Sequence, residues 1–258
     1  MGNNVGKTLF VAFALCLVCS VLVSSTAVSL KDKQAQNAAL DMKKNVLSAA
    51  GLLEADTDVN EVFSKFTTVL VNLETGEIVD DMDTQAYNQR EAQKKPDLSV
   101  AIPAEADLAG LSRRAKFGKV FVYKDEQGES QIYIFHITSK GLWSTMYGFM
   151  ALGADLNTVK GFGYYAQGET PGLGGEVDNP KWKGQWVGKN VYNEEEVVAL
   201  KLSKGTAPKE GPVAEYRVDG LSGATITANG VSSSIKYWFS DHGYGKFIDM
   251  VKGGEVTI

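Results

Sequence analysis

An uncharged apolar run near the amino terminus constrains this chain more than any other feature. Residues Leu9 to Leu30 contain no charged side chain. At about 1.5 Å of rise per residue, a helix over this run would be roughly 33 Å long, enough to cross a hydrocarbon core of about 30 Å. The small residues Ser25-Thr26-Ala27 would suit a signal-peptide cleavage site, but the run is longer than the usual apolar core of about 7–15 residues. The sequence therefore predicts a transmembrane anchor over residues 1–31.

Cysteine and histidine usage excludes several kinds of site. Both cysteines, Cys16 and Cys19, lie inside the apolar run, so the remainder can form neither a disulfide nor a cysteine-ligated iron–sulfur cluster. His136 falls in an apolar strand and His242 near a helix end, without a ligand-spaced partner, which favours structural roles over a transition-metal site. The net charge of −5 with no basic run gives no support for nucleic-acid binding.

A segment of small residues runs from Asp219 to Thr225 and reads Asp-Gly-Leu-Ser-Gly-Ala-Thr. The apolar residues that follow recur at spacings of three and four, which predicts a helix with a buried face. They are Val231, Ile235, Trp238 and Phe239. Small residues let the backbone approach a ligand closely, and the free N–H groups of a helix start bind anions. The alternative is that a Ser or Thr of this segment only caps the helix.

Two upstream segments have the composition of ligand-binding loops. In Glu169–Glu176, Pro171 fixes one backbone angle while glycines free its neighbours, so that N–H groups and Leu173 can turn toward a planar ligand. The alternative is an ordinary glycine-rich turn. Ser139–Ser144 places a lysine and a tryptophan beside a flexible glycine, and its alternative is a strand end that closes onto a core tryptophan.

Together the three segments resemble the flavin-binding domain of bacterial membrane redox complexes in which FMN is joined through its phosphate to a threonine. The whole chain is similar to the C-subunit family of the sodium-translocating NADH:quinone reductase. The flavin subunit of the Rnf electron-transport complex shares the Glu-Thr-Pro-Gly-Leu-Gly and Ser-Gly-Ala-Thr motifs. The aromatic run Gly161–Gln167, Trp182, Trp186 and the long N-terminal region favour the sodium-pump family over the Rnf protein.

The resemblance implies a flavin acceptor. The family pattern is Asp, two variable residues, Ser or Thr, Gly, Ala and Thr, and its last Thr carries FMN as a phosphoester. That position is Thr225 here, whereas chemistry alone does not choose between Thr225 and the nearby Thr227. The residues expected at the cofactor are Asp219, Ser222, Gly223, Ala224, Thr225, Glu169, Thr170, Gly172, Leu173, Gly174, Lys140, Gly141, Leu142 and Trp143.

Position suggests roles for four of these residues. Lys140 would offset the charge of the phosphate, Trp143 and Leu173 would flank the flavin ring, and Glu169 would order its loop. The alternative for Lys140 and Glu169 is an ordinary surface or loop side chain.

The resemblance also implies function and partners. The tethered FMN would relay electrons between redox centres of the complex and so drive sodium export. The partners would be the other subunits, the membrane and a flavin transferase, and the isolated protein is not expected to turn over. The alternative from another class is a membrane-anchored periplasmic binding or scaffold module without a cofactor.

The flanking charges and the family resemblance predict opposite membrane orientations. Lys31, Lys33, Lys43 and Lys44 follow the span while only Lys7 and the amino terminus precede it, which by charge counting places the domain in the cytoplasm. The resemblance implies a single-pass protein of the bacterial inner membrane with a periplasmic domain. We adopt the latter, because long translocated domains override flanking charges.

These observations predict an α+β fold: one N-terminal transmembrane helix followed by a single, mostly antiparallel α+β flavin-binding domain. Residues 32–115 would form the N-terminal part of the extracytoplasmic domain and residues 116–258 the FMN-binding domain, with its core at about 140–242. The expected elements are a helix over Lys33–Leu53, hairpins over Phe66–Val79 and Lys119–Ile137, a surface helix or excursion over Tyr87–Leu98, strands over Val197–Leu202 and Ala214–Val218, and a last helix over Tyr244–Val251.

One motif is excluded as a decoy. Gly161-x-Gly163-x-x-Ala166 matches the dinucleotide fingerprint in letters, but aromatic residues fill its variable positions and no helix is expected to follow. NADH is therefore not expected to bind this chain.

Overall fold

The computed structural model describes residues 4–258 of the 258-residue chain. It divides into two compact units, one ending at Lys43 and one running from Lys44 to Ile258. The elements, in chain order, are α1 (Val5–Ala49), α2 (Val59–Phe63), β1 (Phe66–Asn72), β2 (Ile78–Val79), α3 (Gln89–Ala92), β3 (Ser99–Ala101), β4 (Arg113–Ala115), β5 (Phe117–Lys124), β6 (Ser130–Lys140), β7 (Thr145–Gly153), β8 (Val159–Ala166), α4 (Pro180–Gly184), β9 (Lys201–Leu202), β10 (Arg217–Val218), α5 (Thr225–Trp238) and α6 (Gly245–Lys252).

Helix α1 contains the apolar run. Within the described residues it is the one helix long and apolar enough to span a membrane, by length and composition. It continues without a break through the second helix expected from the sequence, and it ends at Ala49 rather than near Leu53. The end is set by Gly51, whose φ is +72°, and by a bond from the Leu52 N–H to the Leu47 carbonyl. This Schellman arrangement uses the left-handed conformation that glycine adopts without strain.

The second unit is built on a six-stranded sheet in the order β2-β1-β5-β6-β7-β8, with every neighbouring pair antiparallel. The predicted α+β class and both predicted hairpins are confirmed. Strands β7 and β8 are not among the strands that the sequence predicts. All residues of β7 after its first are buried, so its sequence lacks the alternation that marks a half-exposed strand.

Helices α5 and α6 contribute to the hydrophobic core on one face of the sheet, and polar contacts fix the position of α5 on β6. Ser139 Oγ lies in hydrogen-bond contact with both Tyr164 Oη, at 2.6 Å, and Ser234 Oγ. The Trp238 indole N–H donates to the Thr138 carbonyl at 2.8 Å. A side chain at Gly230 would collide with the Lys140 carbonyl, so glycine permits the close approach of helix to strand.

The segment expected as a surface excursion is packed instead. Helix α3 forms inside it, and Tyr87 and Ala92 are buried with Leu70. The side chain of Gln89 accepts a hydrogen bond from the Lys119 N–H at 2.7 Å. The expectation of a surface position over 87–98 is therefore wrong in part, because this charged segment also carries the apolar residues that cover the sheet.

His136 has the structural role expected from the sequence. Its Nε2 lies 2.9 Å from the hydroxyl of Tyr165, and burial lowers the pKa of the imidazole to about 3, with repulsion from Lys119 and Arg90 adding to this effect. The excluded dinucleotide motif forms the edge strand β8, and no helix directly follows it. The expectation that no helix directly follows the motif is confirmed.

The strands expected over Val197–Leu202 and Ala214–Val218 are much shorter, because only β9 and β10 form and they pair in parallel. Before β9, the N–H groups of Ala199 and Leu200 both bond to the Val191 carbonyl, so the chain bends where a regular ladder was expected. Before β10, residues Ala214–Tyr216 form a 3-10 turn. The last helix, α6, is confirmed.

Candidate functional site

The candidate site is centred on the amino terminus of α5. Thr225 is the first helical residue and is exposed, and Ala224 is the N-cap. Within residues 4–258 no side chain makes a capping hydrogen bond to this helix start, so the alternative in which Ser222 or Thr225 serves only as a cap is wrong. Because Val231 and Ile235 are fully buried on the sheet, Thr225 is held on a fixed element.

Burial separates the two threonines between which chemistry alone does not choose. Thr227 is 1% exposed, and its hydroxyl donates to Glu169 Oε2 at 2.6 Å. The hydroxyl of Thr225 has no such burial. Of the two oxygens, that of Thr225 is therefore the accessible one.

Glu169 joins three parts of the site. Its carboxylate accepts hydrogen bonds from the N–H groups of Leu142 at 3.0 Å and of Trp143 and Ser144 at 2.9 Å each. It also accepts from the Ser144 hydroxyl at 3.1 Å. Burial acts to raise the pKa of Glu169, but the hydrogen bonds from Thr227 and the loop N–H groups outweigh it and hold the pKa below its ordinary value.

Glycines allow the three sequence segments to approach one another. A side chain at Gly141 would collide with the Glu169 carboxylate, and one at Gly174 would lie 2.7 Å from Thr227 Oγ1. Gly223 has a φ of +70°, and a Cβ there would lie 2.9 Å from the Leu173 side chain. Loop 169–174 therefore contacts the segment that ends in Thr225, and loop 141–144 contacts Glu169 at the start of loop 169–174.

Large apolar side chains from these segments are left uncovered. Leu142 is 49% exposed, Trp143 72%, Leu173 42% and Ile226 57%. The alternative in which Trp143 belongs to the core is wrong, because the loop N–H groups turn inward to Glu169 and the indole remains outside. These four exposed apolar side chains lie on segments that Glu169 and Leu173 link to the start of α5, where the Thr225 hydroxyl is accessible. Such an arrangement suits a ligand that has a planar apolar part and an anionic part.

The remaining predicted residues have less direct positions. Lys140 is exposed at the end of β6, and its stem lies beside Gly110. Thr170 contributes its carbonyl, which accepts from the N–H groups of Leu173 at 3.1 Å and of Gly175 at 2.9 Å. Gly172, with a φ of +76°, forms the turn between them.

Asp219 fixes the start of the Asp219–Thr225 segment, the acceptor segment, through several hydrogen bonds. Its carboxylate accepts from the Ala207 N–H at 2.6 Å and from Gln185 Nε2 at 2.9 Å, and its N–H donates to Gln185 Oε1 at 3.0 Å. Its carbonyl accepts from the indole of Trp182 at 2.9 Å.

Three supporting contacts were not expected from the sequence. They come from Ser144, Gln185 and Ala207. Ser144 could have been found, since it is the last residue of the Lys140-containing segment. Gln185 and Ala207 could not, because distance along the sequence does not show which loops meet. Among residues 4–258 no group of three or more His, Cys, Asp or Glu side chains is arranged to hold a metal ion.

Comparison with known proteins agrees with this geometry. The FMN-binding domain family matches residues 141–240, which include Glu169–Glu176, Asp219–Thr225 and all of the first segment except Ser139 and Lys140. The C subunit of the Na(+)-translocating NADH-quinone reductase from Vibrio alginolyticus is 45% identical over 256 residues, covering 99% of this chain and 98% of that protein. The corresponding protein from Pseudomonas aeruginosa is 43% identical over 253 residues, covering 96% and 97%.

Solved structures give the same result. The crystal structure of NqrC from Shewanella oneidensis superposes with a TM-score of 0.75 at 33% identity, covering 83% of this chain and 97% of that one. The C subunit from Parabacteroides distasonis superposes with a TM-score of 0.65 at 27% identity, covering 85% and 96%. With this identity over nearly its whole length, the chain belongs to the C-subunit family of the Na(+)-translocating NADH-quinone reductase.

Proposed function

We propose that this chain carries FMN covalently on Thr225, through a phosphoester, and relays electrons between redox centres of a Na(+)-translocating NADH:quinone reductase. The observation that carries the proposal is the exposed Thr225 hydroxyl at an uncapped helix start, inside the segment that matches the FMN-binding domain family. The relatives are C subunits of Na(+)-translocating NADH-quinone reductases, which supports the assignment of this chain to such a complex and its reaction. We place the domain in the periplasm, anchored by α1 in the inner membrane.

The residues present fit FMN. The phosphate would lie at the start of α5, where free N–H groups and the helix dipole favour an anion and where Ser222, Gly223 and Ala224 leave room for it. The exposed side chains of Leu142, Trp143 and Leu173 would contact the ring.

The other site residues support this arrangement. Thr170, Gly172 and Gly174 shape the loop that presents Leu173, while Gly141 allows its own loop to reach Glu169. Asp219 holds the acceptor segment through Gln185 and Ala207. Lys140 would offset part of the negative charge of the phosphate.

FMN, when bound, supplies reversible one- and two-electron chemistry, and the protein positions it and tunes its electronics. A covalent link prevents loss of the cofactor by dissociation. We propose that the other subunits supply and accept the electrons, that a flavin transferase attaches the FMN, and that sodium export is a property of the assembled complex.

The test compares two isosteric variants after co-expression with a flavin transferase. Flavin fluorescence in a denaturing gel is expected for the wild-type chain and for Thr227→Val, and it is expected to be absent for Thr225→Val. The valine keeps the shape of threonine and removes only the oxygen, so the pair separates the two candidate acceptors. A wild-type band without fluorescence, despite a competent transferase, would overturn the proposal. Fluorescence retained in Thr225→Val and lost in Thr227→Val would move the link to Thr227.

A further inference from the structure

We propose that Glu169 is a positioning residue, whose buried carboxylate holds loop 141–144 against α5 and commits Thr227 to a structural role, so that Thr225 alone accepts the flavin. This inference rests on the proposed function and deepens it. Glu169 acts here through the loop and the helix, and it is not itself a ligand of the cofactor.

The carboxylate of Glu169 has no hydrogen-bonding capacity left for a ligand. Glu169 is 6% exposed and accepts three N–H groups and two hydroxyls. A carboxylate offers about four lone-pair sites, so five donors saturate it. Glu169 is therefore not a ligand of the cofactor, and it can act only through the groups that it holds and through its negative charge.

Glu169 orients the backbone of loop 141–144. Three successive N–H groups, from Leu142 to Ser144, converge on one carboxylate, which turns this stretch of backbone inward. The side chains of Leu142 and Trp143 are left on the outside, 49% and 72% exposed. Hydrogen bonds to an ionised acceptor are roughly twice as strong as neutral ones, so the charge on Glu169 fixes this orientation.

Glu169 also excludes Thr227 as the flavin acceptor. The Thr227 hydroxyl donates a hydrogen bond to Glu169, and the residue is 1% exposed. Gly174 packs so closely that even a Cβ added there would lie 2.7 Å from Thr227 Oγ1. A phosphorus atom has no room to approach this oxygen, whereas Thr225, two residues earlier, is open to solvent.

The negative charge of Glu169 has an electrostatic effect of its own. Glu169 contacts the third residue of α5, where the positive end of the helix dipole stabilises an anion. A fixed negative charge near a redox group opposes the addition of electrons. Removal of this charge is therefore expected to raise the midpoint potential of a flavin on Thr225.

The experiment uses Glu169→Gln in the full chain, with Glu176→Gln as the matched control. Glu176 lies in the same segment but accepts from Asn179 Nδ2 instead of loop 141–144. In the cofactor-free Thr225→Val background, hydrogen exchange of amides 142–144 is expected to accelerate about 10- to 100-fold in Glu169→Gln. It is expected to stay within about 2-fold in Glu176→Gln.

The same variants are then tested with Thr225 restored. In Glu169→Gln the rate of flavin incorporation is expected to fall about 10-fold, because the loop that receives the ring is no longer fixed. The midpoint potential of the incorporated flavin is expected to rise. Unchanged amide exchange, or an unchanged potential in a chain that carries flavin on Thr225, would overturn the role of Glu169.

A milder variant tests the same role of Glu169 if Glu169→Gln does not fold. Thr227→Val removes one donor only, and it is expected to accelerate exchange of amides 142–144 by a smaller factor, with Thr227→Ser restoring wild-type exchange. Thr227→Val with wild-type exchange would overturn the inference. A wild-type chain without covalent flavin would overturn the proposed function instead, while the exchange result in the cofactor-free background would still decide the role of Glu169.

Discussion

Lys119 is a cation in an unfavourable place. It is 9% exposed, and burial lowers the pKa of its ammonium group to about 8, an effect that attraction to Asp83 only partly offsets. The unfolded chain holds this proton up to a pKa of about 10.5, so unfolding takes up a proton at pH values between 8 and 10.5. The free energy of unfolding should therefore rise with pH across that window, and the cost of the buried charge is fully present below pH 8.

Replacement of this lysine should stabilise the protein at neutral pH. We expect Lys119→Met to raise the free energy of unfolding by about 1–3 kcal/mol at pH 7, with the gain shrinking as the pH approaches 10.5. Tryptophan fluorescence during urea unfolding measures this in the full chain, since all four tryptophans lie in the second unit. The exposed Lys116→Met is the control and should change stability by less than about 0.5 kcal/mol. Equal effects of the two variants would contradict the prediction.

At the scale of single elements, the position of α5 on β6 depends on Gly230. A methyl group there would collide with the Lys140 carbonyl, although alanine is the better helix former by about 1 kcal/mol. We expect Gly230→Ala to lower the free energy of unfolding by about 1–3 kcal/mol, because relief of the collision must move the helix away from the strand. The same fluorescence titration measures it, and Trp238 lies in the affected helix.

The control for this prediction is a glycine with open surroundings. Gly184 is at the end of α4 and has nothing within 4 Å of an added Cβ. Gly184→Ala should be neutral or slightly stabilising. If Gly230→Ala proves as harmless as Gly184→Ala, the close approach of α5 and β6 does not limit stability.

The sequence predicted these elements unevenly, for physical reasons. Both hairpins and the Thr225 helix have strong local periodicity and turn residues, so they could be recognised without tertiary information. Strand β7 could not, because a strand that is buried on both sides carries no alternation. Strand β8 lies at the sheet edge and is partly exposed, but its adjacent buried residues Gly161 and Phe162 break the alternation. Within the site, the segments were predicted, and the family resemblance favoured Thr225 over Thr227. The physical difference between them is burial, which arises only when Glu169 meets α5.

At the scale of the whole molecule, the prediction concerns the side of the membrane that the second unit occupies. The lysines after the apolar run argue for the cytoplasm, whereas our proposal places the unit in the periplasm. We expect alkaline phosphatase fused after Ile258 to be active, and green fluorescent protein at the same position to be dark. An inactive phosphatase together with a bright fluorescent fusion would contradict the periplasmic assignment.

The long interval in sequence between β6 and the helix that covers it has a consequence for biosynthesis. Strand β6 is complete at Lys140, but α5 begins only at Thr225, about 85 residues later. At synthesis rates of about 5–20 residues per second, roughly 4–17 s pass between the completion of β6 and the start of α5. During this time α5 does not yet cover the face of β6 that includes Phe135 and Ile137, which is buried in the folded protein. A nascent chain in this interval lacks Thr225 and α5, and so it lacks the proposed flavin acceptor. Attachment at Thr225 would thus mark a polypeptide whose synthesis has run nearly to its end.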